Sequence, residues 1–175
     1  MGFFDKLFGG SAKSAAPARP EALAVAAEKG ALYAPVAGRV EVTEDIPDPV
    51  FAQEMMGKTV AIWPSSGTVY APVSGMIASA MPHAIGLVSD DGVEVLIHVG
   101  IDTVSMNGDG FTLWAKQGDR VAAGEALLTF DRDKVAKAGY KDIVMTIITN
   151  SDDFSTIEKV ATDEVAAGAA IIKTA

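Results

Sequence analysis

From residue 32 onward, the chain consists of short apolar runs separated by turn residues, and this pattern constrains the fold more than any other feature. Glycine, proline, aspartate or asparagine punctuates the chain between the runs, as is typical of β-strands. The runs occupy 59–63, 68–71, 84–88, 93–99, 126–130 and 143–149. The pattern predicts an all-β domain, an antiparallel β-sandwich or barrel. One short helix is expected at 131–139, where Gly139 would end it.

The first 29 residues differ in composition from the rest of the chain. Within 1–9, four apolar residues would share one face of a helix: Phe3, Phe4, Leu7 and Phe8. Residues 9–29 are rich in glycine, serine, alanine and proline, which is typical of a flexible linker. We therefore expect an amphipathic, flexible tail and linker over 1–29 and one folded domain over 30–175.

Charge and composition exclude several classes of function. Cysteine is absent, so thiol nucleophiles, thiolate metal sites and disulfides are excluded. The formal net charge of −9 argues against non-specific nucleic-acid binding and favours a partner with a basic face. No apolar stretch approaches the roughly 20 residues that span a bilayer. The start shows no signal-peptide pattern, so we expect a cytoplasmic protein.

The sequence also contains one internal echo. Residues 32–38 are LYAPVAG and residues 69–75 are VYAPVSG. Either one structural unit is used twice, or two strand–turn segments arrived independently at similar sequences.

The two histidines, His83 and His98, flank the turn sequence SDDG at 89–92. A four-residue loop there would pair Val88 with Val93 and would place His83 opposite His98. Their Cβ atoms would then be about 4.5–5.5 Å apart. A two-residue loop of Asp91 and Gly92 would instead place the histidines diagonally on one face. In the second strand, alternation assigns 93, 95, 97 and 99 to the core face and 94, 96 and 98 to the other face. His98 should therefore be accessible.

Two neighbouring imidazoles suit three roles, and the residues alone do not choose among them. One histidine could accept a phosphoryl group while the other donates a hydrogen bond to it. The pair could bind zinc if a carboxylate such as Asp102 joined them, because zinc needs three or four ligands. They could also be a polar pair with only a packing role. The glycine-rich nucleotide-binding motifs are absent from the sequence.

Several segments resemble one family in the same order along the chain. GVEVLIHVGIDTV at 92–104 is similar to the active-site signature of glucose-family enzyme IIA of the bacterial sugar phosphotransferase system. IPDPVFAQEMMG at 46–57 resembles its apolar docking loop, and PHAIGLVSDDG at 82–92 its second-histidine strand. VYAPVSGMI at 69–77, the late strands at 107–131 and the MGxFDKL start also match.

The resemblance implies an antiparallel β-sandwich that carries phosphate. His98 would accept it on Nε2 from the histidine-containing phosphocarrier protein and pass it to a cysteine in the IIB domain of a glucose-type sugar permease. His83 would donate a hydrogen bond to the phosphoryl oxygens, and the Gly100 carbonyl would hold His98 Nδ1–H. A docking surface would comprise Asp48, Val50, Phe51, Met55, Met56, Leu96, Asp102 and Val104.

The resemblance further implies that no cofactor is required, although His83 and His98 could hold a zinc ion in a regulatory complex. Residues 1–9 would associate weakly with the inner face of the membrane. The chain departs from the family at Met81, where threonine is usual, at Ser79 and at Leu96.

Two other classes of protein fit the sequence less well. A LytM-type zinc peptidase needs an additional His-x-His pair, which two histidines cannot supply. A lipoyl- or biotinyl-type carrier needs a lysine at a hairpin tip, and Lys134 within 131–139 is the one faint candidate.

Overall fold

The structure is a computed structural model that describes residues 17–175. Within these residues the chain forms fourteen strands and two short α-helices. The strands are β1 (Ala31–Tyr33), β2 (Gly38–Glu41), β3 (Lys58–Pro64), β4 (Thr68–Tyr70), β5 (Gly75–Met81), β6 (Ala84–Ser89), β7 (Glu94–Ile101), β8 (Phe111–Leu113), β9 (Arg120–Val121), β10 (Ala126–Phe130), β11 (Lys141–Ile148), β12 (Ile157–Lys159), β13 (Glu164–Val165) and β14 (Ala170–Thr174). The helices are α1 (Pro49–Ala52) and α2 (Arg132–Lys137), and 3-10 turns occupy Thr43–Asp45, Thr103–Met106 and Ser151–Asp153.

The strands form three antiparallel sheets. The largest has eight strands in the order β13-β2-β3-β11-β7-β6-β5-β9, and the others have the orders β1-β14-β12 and β4-β10-β8. The prediction of an all-β, antiparallel sandwich is confirmed. The helix predicted near 131–139 is present as α2, which Asp131 caps by accepting from the Lys134 amide at 3.1 Å. Among residues 17–175, none of the helices has the length and apolar character to cross a membrane.

The central strand β11 is buried on both faces from Ile143 to Ile148, which explains why apolar residues fill this stretch except at Thr146. Val144 and Ile148 face the large core between the sheets, whereas Ile143, Met145 and Ile147 face a second, smaller cluster. That smaller cluster is completed by Ile46 and Phe51 from the segment around α1, and half-buried Leu96 packs against it. The segment around α1 therefore lies over the outer face of the large sheet, beside β7.

The internal echo corresponds to two segments that bond to each other. The Tyr33 amide donates to the Pro72 carbonyl at 3.0 Å, and the Tyr70 amide donates to the Pro35 carbonyl at 2.8 Å. Each segment also receives an amide from a VAAG turn, at 121–124 in one case and 165–168 in the other. The reciprocal pairing supports one structural unit used twice.

The described part of the predicted linker is fastened to the sandwich. Residues 17–29 form no strand or helix, as expected of a linker. However, the Arg19 guanidinium donates twice to the Ala126 carbonyl, at 3.1 and 2.8 Å, and the Leu23 amide donates to the Gly124 carbonyl at 2.9 Å. These hydrogen bonds attach 17–29 to the sandwich at β10 and at the turn before it. The predicted amphipathic tail at 1–9 lies outside the described residues.

Candidate functional site

The hairpin formed by β6 and β7 differs from the predicted register by one residue. Val88 pairs with Glu94, and Ala84 pairs with His98. The Ser89 amide donates to the Val93 carbonyl at 2.9 Å, so the loop has three residues where the sequence predicted four. Two features favour the shorter loop: the Ser89 hydroxyl accepts from the Val93 amide, and Gly92 adopts a left-handed φ of 83°.

The two histidine rings nevertheless meet, for a different reason from the one predicted. An odd-length loop would separate them if both lay in strands. His83, however, lies in the turn between β5 and β6, so strand alternation does not set its direction. Its carbonyl accepts from the Val99 amide at 2.8 Å, which ties the turn to β7. The ring centroids are 5.3 Å apart with an interplanar angle of 78°, so the two imidazoles are neighbours.

The His98 ring is oriented by a backbone carbonyl and an aromatic neighbour. His98 Nδ1 lies 2.9 Å from the Gly100 carbonyl oxygen, so Nδ1 must carry the proton and donate it. The other nitrogen, Nε2, then keeps its lone pair. The Phe51 ring packs against the imidazole with its centroid 5.1 Å away. Because His98 is only half-buried, Nε2 is an oriented nucleophile that a partner can reach.

The ionisation of both imidazoles follows from their surroundings. Burial of the ring lowers the pKa of His98, and the neighbouring His83 lowers it further. The Gly100 carbonyl, Asp48 and Asp102 act in the opposite direction, but the net pKa stays below its usual value. Burial also lowers the pKa of His83. Both rings are therefore predominantly neutral at pH 7, which leaves the His98 lone pair free to attack.

Near the end of β7, two residues after His98, the backbone conformation requires a glycine at position 100. Its φ is +80°, and a Cβ at this position would lie 2.3 Å from Thr103 Cγ2 and 2.8 Å from the Lys141 carbonyl oxygen. We expect Gly100→Ala to lower the free energy of unfolding by about 2–4 kcal/mol, because the backbone must shift to admit a methyl group. The shift would also displace the carbonyl that holds His98 Nδ1.

The measurement is urea unfolding together with NMR titration of the His98 ring. Gly92→Ala is the matched control, because Gly92 has a similar φ of +83° but no atom within 4 Å of the place that a Cβ would occupy. This control should show the backbone cost alone, about 1–2 kcal/mol. Equal losses from the two variants would mean that close packing at Gly100 contributes nothing.

Residues of the predicted docking surface differ in exposure. Met55 is 69% exposed, Val104 58%, Met56 41% and Val50 39%. Phe51 is only 7% exposed, so it packs against the His98 ring and offers a partner little accessible surface area. Leu96 is half-buried on the same face of β7 as His98. The predicted docking surface therefore consists of the buried Phe51 and seven more accessible residues, which we call the docking rim: Asp48, Val50, Met55, Met56, Leu96, Asp102 and Val104.

The two predicted carboxylates have different settings. Asp48 is half-buried and caps α1 by accepting from the Val50 amide at 2.8 Å. Asp102 is exposed and adopts a left-handed φ of 58° at the start of a 3-10 turn. Both are among the charges that act on His98. Asp48 thus also has a structural role as a helix cap, whereas the structure gives the Asp102 side chain no such bond.

The zinc interpretation gains no support from the geometry. Across residues 17–175 the structure has no group of three or more histidine, cysteine, aspartate or glutamate side chains placed to hold a metal ion. His83 and His98 would supply two ligands at most, so any zinc would need ligands from another molecule. The lysine considered for a lipoyl-type carrier, Lys134, lies within α2 and not at a hairpin tip.

Sequence reasoning overlooked two residues beside the site. Met81, noted only as a departure, pairs with Ala84, which in turn pairs with His98, so it lies in the same row across the sheet and is 47% exposed. Glu54 anchors the segment that carries part of the docking rim. In the sequence, Glu54 and Lys58 are four residues apart, a spacing typical of an ion pair, and this could have identified Glu54.

Comparisons with known proteins agree on one family. A family model described as phosphoenolpyruvate-dependent sugar phosphotransferase system, EIIA 1, matches residues 30–154. The PTS system glucose-specific EIIA component of Halalkalibacterium halodurans is 42% identical over 169 residues, which cover 94% of this chain and 93% of that protein. Among solved structures, glucose permease IIA from Mycoplasma capricolum matches with a TM-score of 0.74 and 36% identity, over 81% of this chain and 93% of that one.

Longer proteins contain a similar part. The PTS system beta-glucoside-specific EIIBCA component of Dickeya chrysanthemi is 46% identical over 154 residues. The match covers 87% of this chain but only 24% of that protein.

Proposed function

Because the chain belongs to the EIIA 1 family of the phosphoenolpyruvate-dependent sugar phosphotransferase system, we propose that His98 is the residue that carries its phosphoryl group, on Nε2. The family makes the chain a phosphotransferase and phosphocarrier of sugar transport. The observation that supports His98 is the contact between its Nδ1 and the Gly100 carbonyl, which leaves Nε2 as the nucleophile. Zinc-peptidase and lipoyl-carrier functions gain no support from these relatives.

The chemical step follows from that geometry. The Nε2 lone pair attacks phosphorus on the phosphorylated donor, a new N–P bond forms, and the donor's bond to phosphorus breaks with its electron pair returning to the donor. The attack draws positive charge onto the imidazole. The Gly100 carbonyl oxygen stabilises that charge because it accepts the hydrogen bond from Nδ1–H. Delivery reverses the roles: the acceptor's nucleophile attacks phosphorus, and the electrons of the N–P bond return to Nε2.

His83 serves as the second part of the proposed site. Its ring lies edge-on to His98 at a centroid distance of 5.3 Å, close enough for an N–H to reach an oxygen of a phosphoryl group on His98. Such a hydrogen bond stabilises negative charge on the transferring group. Burial lowers the pKa of His83 in the free protein, and the neutral ring still carries one N–H that it can donate.

The proposed partners are a phosphorylated donor and a IIB acceptor. Fusion of B, C and A components in relatives indicates that EIIA parts pass phosphate to IIB domains. We take the donor to be the histidine-containing phosphocarrier protein. Residues 1–9 would associate with the inner face of the membrane through the apolar face expected there. The direct test is reconstitution with phosphoenolpyruvate, enzyme I and that carrier, followed by intact mass.

Charge at the docking rim should affect how fast the donor arrives. We expect Asp48→Asn with Asp102→Asn to slow phosphate uptake roughly 3- to 10-fold at low salt, because two carboxylates that attract a basic donor are lost. Asparagine suits both positions, since it still caps a helix and tolerates a left-handed φ. Stopped-flow uptake at low and high salt measures the effect, which should vanish at high salt.

The matched control is Asp131→Asn with Asp163→Asn. Asp131 caps α2, Asp163 has a left-handed φ of 56°, and neither is among the charges acting on His98. The control therefore makes the same change in net charge at equivalent backbone positions. If both double variants slow uptake equally, net charge matters and the docking rim does not.

A further inference from the structure

Residues 48–57, which we call the docking segment, carry Asp48, Val50, Met55 and Met56 of the docking rim and contain one unusual residue. Glu54 has a left-handed φ of 52°, which is unfavourable for a residue with a Cβ. It directly precedes the exposed Met55 and Met56. Its amide donates to the Phe51 carbonyl at 3.0 Å, so its position is linked to the aromatic ring beneath His98. Something beyond local preference must hold Glu54 in this conformation.

The Glu54 carboxylate bonds to three donors. It accepts from the Thr59 amide at 3.0 Å and from Lys58 Nζ at 2.9 Å, both on β3. It also accepts from Lys159 Nζ on β12, a strand of a different sheet. Lys159 in turn donates to the Thr43 hydroxyl at 3.0 Å, before the docking segment begins. The Glu54 carboxylate thus bonds directly to two sheets and is connected through Lys159 to Thr43.

The environment of Glu54 fits a structural anchor better than a partner contact. Its side chain is 19% exposed, whereas the neighbouring Met55 is 69% exposed. Burial alone would raise the pKa of Glu54, but bonds from Lys159, the Thr59 amide and Lys58 lower it to about 2. The carboxylate therefore stays ionised near neutral pH, and three donors from this chain itself bond to it.

We propose that Glu54 is a positioning residue for phosphotransfer, which sets the docking rim and the Phe51 support of His98 through its bonds to Lys58, Lys159 and Thr59. The inference rests on the proposed function of His98. Glu54 does not touch the reacting atoms. It acts because a segment held by these bonds presents Val50, Met55 and Met56 to a partner in one arrangement, at a smaller entropic cost on binding.

The variants that test this are Glu54→Gln and Lys159→Met, alone and together. For each single variant we expect the half-saturating donor concentration to rise roughly 3- to 10-fold, with the limiting rate of phosphate uptake unchanged. Amide hydrogen exchange over 48–57 should quicken roughly tenfold in the free protein. Because both changes break one anchor, the double variant should be no worse than the more severe single one.

Asp90→Asn is the control, since it breaks an exposed ion pair with Arg120, at 2.7 Å, in a different part of the molecule. It should leave uptake unchanged. Weaker docking with unaltered exchange over 48–57 would overturn the proposal, because Glu54 would then contact the donor itself. Unaltered docking would overturn it as well. A wild-type protein that takes up no phosphate would instead refute the proposed function, so the two failures are distinguishable.

Discussion

The His98→Gln variant should take up no phosphate from the phosphorylated donor. A glutamine amide nitrogen shares its lone pair with the carbonyl and cannot attack phosphorus, so the uptake rate should fall by more than about 10³-fold. Intact mass after incubation with phosphoenolpyruvate, enzyme I and the phosphocarrier protein is the measurement. The wild-type protein should gain one acid-labile phosphoryl group, and the variant should gain none.

The variant should remain folded, which makes a loss of labelling meaningful. His98 is half-buried, and its one side-chain bond, to the Gly100 carbonyl, is worth about 1 kcal/mol. Circular dichroism and thermal unfolding should therefore resemble those of the wild type. A folded His98→Gln protein that still labels would place the phosphoryl group elsewhere, and His83 would be the first alternative.

The His83→Gln variant should separate the two half-reactions. His98 keeps its nucleophilic Nε2 and its bond to Gly100, so the variant should still accept phosphate. Delivery to the IIB acceptor should slow by roughly 10²-fold, because a flexible amide cannot hold a donor where the rigid His83 ring holds one. We expect this asymmetry because the phosphoryl group starts uptake on the donor, whereas it starts delivery on His98, beside the His83 ring.

Rapid-quench measurement of uptake and of delivery, each with the same protein preparation, distinguishes these effects. The ring pKa of His98 should also rise in this variant, since the His83 ring that disfavours its protonation is gone. Equal slowing of both half-reactions would contradict the proposed division of roles and would make His83 a general structural support.

The sequence predicted the strands well because the pattern of buried and exposed positions in a strand is visible in the strand's own residues. In β7, burial of Val95, Ile97 and Val99 and the partial exposure of Leu96 and His98 follow the predicted alternation. From Ile143 to Ile148, β11 is apolar except at Thr146 because both its faces are covered, and this stretch too was visible as a run. Side chains along a strand alternate between its two faces, so the apolar residues of the strand itself identify the face that packs on a core.

The register of the histidine hairpin could not be obtained in the same way. The sequence SDDG permits loops of different length, and the choice depends on the Ser89 hydroxyl bonding to the Val93 amide. His83 then reached His98 only because it lies in a turn, where alternation does not apply. The proximity of the rings was predicted correctly from a register that was wrong by one residue.

Contacts between distant parts of the chain were the other limit. Lys159 meets Glu54 across 105 positions, and Arg19 meets the Ala126 carbonyl across 107. No local pattern marks such pairs, because each depends on how the sheets stack. The burial of Phe51 also depends on a contact between distant parts of the chain. The docking segment covers a second apolar cluster, to which β11 contributes Ile143, Met145 and Ile147.

The central claim is that phosphate resides on Nε2 of His98, and its most direct test is NMR of the phosphorylated, uniformly ¹⁵N-labelled protein. We predict one phosphoryl group per chain, coupled to Nε2 of His98, with Nδ1 still protonated and bonded to the Gly100 carbonyl. A phosphoryl group on Nδ1 of His98, or on either nitrogen of His83, would contradict it.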